Sequence, residues 1–187
     1  AIRAYIGRTR PGVPMMFAQG STGDQSSRYF RKDQSFDEVD RFGTTIGREA
    51  DRVLDTLEMT DRVCLGVQSR EVTPEWKDLP PVRELEDRIA GYWEQLRRLE
   101  KENAPYVQRQ TCYLDRLGTE YTLAHARLEE KGEPSPWAQE IPAEVQAIRI
   151  GNGCLVGLPG EVFVEYTLAI ENRSPLQPTF AVTCANG

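Results

Sequence analysis

Histidine is almost missing from this chain: His125 is the only one. A zinc site built from several histidines therefore cannot form within it, and any Ser-His-Asp triad would have to use that one ring. Cys64, Cys112, Cys154 and Cys184 are widely scattered, with no C-x-x-C pair. Three of them sit inside apolar stretches, where a free thiol behaves as a small hydrophobe, and free thiols are favoured over disulfides. None has an evident partner base that would make it a nucleophile. No apolar run approaches the roughly 18 residues of a membrane span. Basic charge is also short: 23 Lys and Arg stand against 29 Asp and Glu, a formal net charge of -6. Phosphate backbones are bound by clustered Lys and Arg, so nucleic acid is excluded as a partner. The nearest basic cluster, Arg28, Arg31 and Lys32, is followed at once by Asp33 and reads as a solvated loop or a small-anion contact.

What is present suits an ordinary globular protein, with 39% apolar and 28% charged residues over 187 positions. Met15-Met16-Phe17-Ala18 reads as a buried strand. Ser35-Phe36-Asp37-Glu38 is a capping box, and Phe36, Val39, Phe42, Ile46, Ala50, Val53 and Leu57 then mark one amphipathic helix to about Glu58. Gly43 and Gly47 leave that helix a smooth strip for packing on a sheet. Residues 62–68 read as a strand. After Leu79-Pro80-Pro81, a stripe of Val82, Leu85, Ile89, Tyr92, Leu96 and Leu99 predicts a helix. Beyond Asn103-Ala104-Pro105, a second stripe of Val107, Leu114, Leu117, Tyr121, Ala124 and Leu128 predicts its antiparallel mate. Each arm would run roughly 30–35 Å at helical rise.

Residues 144–150 and 154–158 flank Gly151-Asn152-Gly153, a strong hairpin signal. Pro159-Gly160-Glu161 is expected to open a helix carrying Phe163, Thr167 and Ile170, and residues 179–184 to form the last strand. The expected fold is α/β: a mixed sheet of about four to five strands with flanking helices and a projecting antiparallel helical hairpin. It is read as a single domain over 1–187 with the hairpin inserted at 80–131. A helix-like start and a strand-like finish suggest a portion of a larger protein.

Two glycine-bearing turns, each directly after an apolar run, carry what chemistry the sequence offers. Such turns place polar side chains at the lip of a sheet, where open α/β folds build their sites. The first, Gly20-Ser21-Thr22-Gly23-Asp24-Gln25-Ser26, lacks the Lys-Ser/Thr pair of a phosphate-binding loop. It reads either as an oxyanion cradle or as a structural turn whose Asp24 accepts amide protons. The second, Gly157-Leu158-Pro159-Gly160-Glu161, presents an acid at a helix start. There it is either favoured by the helix dipole or free to act as a metal ligand or general base. His125 lies beside the apolar stripe of the second hairpin helix and reads as a surface or boundary residue.

The block Phe17-Ala18-Gln19-Gly20-Ser21-Thr22-Gly23-Asp24-Gln25, the capped helix after it, and residues 145–150 through Leu158-Pro159-Gly160-Glu161-Val162-Phe163 resemble the neutral/alkaline, non-lysosomal ceramidase family, its bacterial relatives in particular. The order of the blocks agrees over nearly the whole chain, including the closing Ala185-Asn186-Gly187. The hairpin resembles an element of those relatives rather than of the proven ceramidases. The resemblance implies a zinc-dependent amidohydrolase in which the metal activates water against the N-acyl amide of a sphingolipid-like substrate. It implies that Glu161 is a zinc ligand, and that Asp24 and Ser26 are catalytic or shape the site. It places the remaining ligands outside this chain, so that zinc belongs to the intact parent and this chain alone holds none and is inactive. The implied partners are the lipid-like amide substrate and the rest of the enzyme or a second copy. A secreted or periplasmic location is open on the same ground. Ser26-Ser27 stands where the proven ceramidases have Ser-Pro-Asn. The alternative reading is a non-catalytic interaction module that binds a protein partner through the hairpin at 82–131.

Overall fold

The computed structural model describes residues 1–75, 77–133 and 142–185, and they divide into two compact units. The first unit comprises 1–27, 33–72 and 142–185 of the described residues, and holds helices α1 (Ile2–Thr9), α2 (Phe36–Leu54) and α5 (Val164–Arg173) with strands β1 (Leu65–Val72), β2 (Ala143–Ile150), β3 (Gly153–Gly157) and β4 (Thr179–Val182). The strands form one mixed sheet in the order β1-β2-β3-β4, antiparallel except for the parallel β3–β4 pair. This is the expected α/β class, with a strand count inside the expected range.

The hairpin signal at 151–153 is realised as the tight β2–β3 connection, with Gly151 at φ 62°, a conformation that costs glycine nothing. Strand β1 runs to Val72, four residues beyond the apolar run that announced it, because all eight of its residues find register partners along β2. Helix α2 starts as the capping box predicts: Ser35 Oγ accepts from the Glu38 amide at 3.3 Å. The Glu38 carboxylate takes both Nε and Nη2 of Arg41, at 2.6 and 2.7 Å.

Several local expectations are corrected. No strand forms at 15–18; Met16 is 93% and Phe17 61% exposed. An apolar run becomes a strand only where a neighbour takes up its main-chain groups, and this segment is first held at Gln19 and Gly20, by Thr183. The glycine strip of α2 meets α1 rather than the sheet: a Cβ at Gly47 would fall 2.8 Å from the Tyr5 side chain, and one at Gly43 would strike Ala1. Arg10 fastens the same pair of helices, bonding Asp51 and Asp55 at 2.5 Å each, and those bonds push its guanidinium pKa further up. Phe36, Val39 and Ile46, expected on a buried stripe, are largely exposed. Helix α5 opens at Val164, so Glu161 precedes it instead of lying in its first turn.

The second unit holds α3 (Val82–Lys101) and α4 (Tyr106–Glu130), which pack antiparallel. At one end Leu96 and Leu99 meet Cys112; at the other Leu85 meets Leu123 and Ala126. Asn103 turns the chain at φ 48°, and the Ala104 amide returns to the Leu99 carbonyl at 2.9 Å. The α3 stripe lies where its spacing puts it. On α4 the buried positions are Cys112, Arg116, Leu123 and Ala126, while Tyr121 and Ala124 are exposed. The reason is Arg116, a charged residue on the seam whose stem and guanidinium pack under rings, which an apolar-only pattern skips. Among the described residues no helix is long and apolar enough to cross a membrane. The closing Asn186 and Gly187 lie outside the described residues.

All four cysteines are free; Cys112 and Cys154 are buried, Cys64 and Cys184 exposed. Desolvation raises the Cys112 thiol pKa. Thiol-specific labelling of the native chain is therefore expected to reach Cys64 and Cys184 quickly and the other two only on unfolding; four equal rates would contradict this burial. Leu85→Ala, at the most buried side chain of the hairpin seam, is expected to destabilise that unit by about 2–5 kcal/mol in thermal or urea unfolding.

Candidate functional site

The two glycine-bearing turns come together inside the first unit. The Gly23 amide donates to the Val162 carbonyl at 3.1 Å. A side chain at position 23 has no room: its Cβ would strike the Glu161 carbonyl oxygen and lie 2.7 Å from the Phe163 ring. Glycine is required here by closeness rather than by dihedral freedom.

Around that contact the side chains interlock. Thr22 Oγ1 donates to Glu161 Oε1 at 3.3 Å. Asp24 Oδ1 accepts from the Val164 amide at 3.0 Å, and from Gln25 Nε2 at 3.2 Å. Val164 is the first residue of α5, whose own N-cap, Phe163, supplies no side-chain bond. Asp24 therefore caps a helix 140 positions away, satisfying a first-turn amide and placing negative charge at the positive end of the dipole. The Ser21 and Thr167 hydroxyls share a short hydrogen bond that ties the loop to the next turn of α5.

The end of β4 closes the arrangement from the other side. Thr183, 3% exposed, donates its amide to the Gln19 carbonyl and its hydroxyl to Gly20, both at 2.7 Å. The Cys184 amide reaches Gly160 and the Ala185 amide reaches Leu158, each at 3.0 Å. Gly160 at φ 71° and Cys184 at φ 55° are the two left-handed residues that let these segments meet.

The carboxylates thus differ in what they have left to offer. Asp24 is engaged as a cap, while Glu161 is exposed and its carboxylate accepts from a single hydroxyl among the described residues. Ser26 is half-buried at the end of the loop and is not without a partner. His125, half-buried on α4, belongs to the other unit. Thr22 and Thr183 are the residues that sequence reasoning passed over. Both are ordinary β-branched polar residues, and only the docking of distant segments gives them a role.

No protein-family model matches this chain, and no curated protein or solved structure matches it. The ceramidase resemblance implies a zinc ion, which needs several donors converging on one point. Among the described residues no group of three or more His, Cys, Asp and Glu side chains is placed to hold a metal. One open carboxylate does not fix tetrahedral geometry, so these residues do not by themselves fit a zinc centre.

Two substitutions separate capping from chemistry. Asp24→Ala is expected to destabilise the first unit by about 0.5–2 kcal/mol, whereas Asp24→Asn, an equally good cap, should be near neutral. Equal losses in both would contradict the capping role. Gly23→Ala should cost about 1–3 kcal/mol, because backbone must move to admit the methyl.

Proposed function

We propose that the chain is a portion of a zinc-dependent amidohydrolase resembling neutral ceramidase, one that hydrolyses the N-acyl amide bond of a sphingolipid-like substrate. The observation that carries the reading is the interlock itself. The two blocks on which the resemblance rests lie far apart in sequence, yet they meet through Gly23–Val162, Thr22–Glu161 and Asp24–Val164. Blocks that meet in this way build one polar lip.

On this reading Glu161 is one metal ligand of the intact enzyme, and the other ligands come from polypeptide outside residues 1–187. The Thr22 hydroxyl orients that carboxylate by donating to Oε1, as outer partners of metal ligands do. Asp24 fixes the loop against the start of α5, and Ser26 lines the same loop. No catalytic step is assigned to the chain alone, since its own donors do not complete a metal site.

On this reading the test uses the intact enzyme. Glu161→Gln, which keeps size and removes charge, is expected to lose bound zinc and amidase activity together. Thr22→Val should weaken zinc binding by about tenfold, the scale for a group that orients a ligand. Full zinc occupancy in Glu161→Gln, measured by elemental analysis of the folded variant, would overturn the assignment.

A further inference from the structure

A groove of about 400 Å³ runs along the α3–α4 pair, within the size range of small-molecule sites. Its lining is unusual for a chain with net charge -6. Arg97, Arg109 and Arg116 face it against one lining carboxylate, Glu100, and the rings of Trp93, Tyr106 and Tyr113 complete it.

These groups divide into a fixed floor and an open rim. Arg116 is the floor. It is 8% exposed, its guanidinium centre lies 4.3 Å from the Trp93 ring centroid and 5.1 Å from that of Tyr113, and Nη1 pairs with Glu120. Its Nε is buried without a hydrogen-bond partner. A guanidinium stacked on rings and paired with Glu120 in this way is held in one place, so Arg116 fixes the ring geometry of the floor, and the free positive charge of the groove belongs to its rim.

The rim is unspent. Arg109 gives Nε to the Ala104 carbonyl at 3.0 Å, which leaves its terminal amino groups, and Arg97 is exposed with no ion pair among the described residues. Trp93 and Tyr113 are still 47% and 42% exposed although they cover Arg116. Ring faces open beside forked cationic donors suit a ligand that stacks and carries negative charge at once.

We propose that this groove binds a small planar organic anion, an aromatic ring bearing a carboxylate or a phosphate ester. The rings take the ligand's flat face, and the forks of Arg97 and Arg109 take its anionic group. Four probes decide the matter on the full chain: 2-naphthoate, 2-naphthyl phosphate, neutral 2-naphthamide and inorganic phosphate. The readout is the indole N–H resonance of Trp93, one of three tryptophans, assigned with Trp93→Phe. Saturable shifts are expected with at least one aromatic anion, and the stronger of the two identifies the preferred headgroup. The amide and inorganic phosphate should each bind about tenfold more weakly or worse, the worth of one ion pair or one stacking contact. Arg97→Gln, at an exposed position that leaves the fold intact, should weaken the anion by a similar factor without changing helicity. Equal binding of the amide, no saturable Trp93 shift with either anion, or undiminished affinity in the Arg97→Gln, Arg109→Gln double variant would overturn the proposal.

Discussion

The first unit depends on one close approach: the backbone of Gly23 against the carbonyl of Glu161. No other residue type fits there, and the Gly23 amide is bonded to Val162. From that contact the remaining placements follow. Thr22 is brought under the Glu161 carboxylate on one side, and Asp24 is carried to the start of α5 on the other. Two loops that would otherwise each need their own anchoring share one. The cost of ordering both is offset by main-chain bonds from Thr183, Cys184 and Ala185, which satisfy carbonyls that would face solvent in a free loop.

That geometry also separates the roles of two acids that look alike in sequence. Asp24 follows a glycine and stands in a polar loop, yet its carboxylate serves an amide at a helix start. Glu161 follows a Pro-Gly pair and was expected to lie within a helix. Because α5 begins three residues later, the Glu161 side chain keeps its capacity for a further ligand. Where the helix starts therefore decides which acid is structural and which is available.

Elements governed by local chemistry were legible in the sequence. The β2–β3 hairpin follows from Gly151-Asn152-Gly153, the start of α2 from Ser35 and Glu38, and the α3 seam from its heptad-like spacing. What was not legible depends on partners distant in sequence. The run at 15–18 has strand composition but no ladder beside it, and the Gly43–Gly47 strip was matched to a sheet when its partner is α1. The α4 seam departs from the apolar stripe because Arg116 occupies a buried position that hydrophobic periodicity cannot register. Of the candidate site, the two turns and their acids could be read from the sequence, but their meeting could not. Neither Thr22 nor Thr183 carries any local signal of its contact.

The meeting of the turns is tested most directly by amide hydrogen exchange at Gly23 and Val164, read residue by residue on the native chain. The account predicts that both amides are protected, and that mutating Asp24 to Ala selectively releases Val164. Exchange of Gly23 at the rate of an unstructured peptide, in a protein whose β2 and β3 amides remain protected, would contradict it.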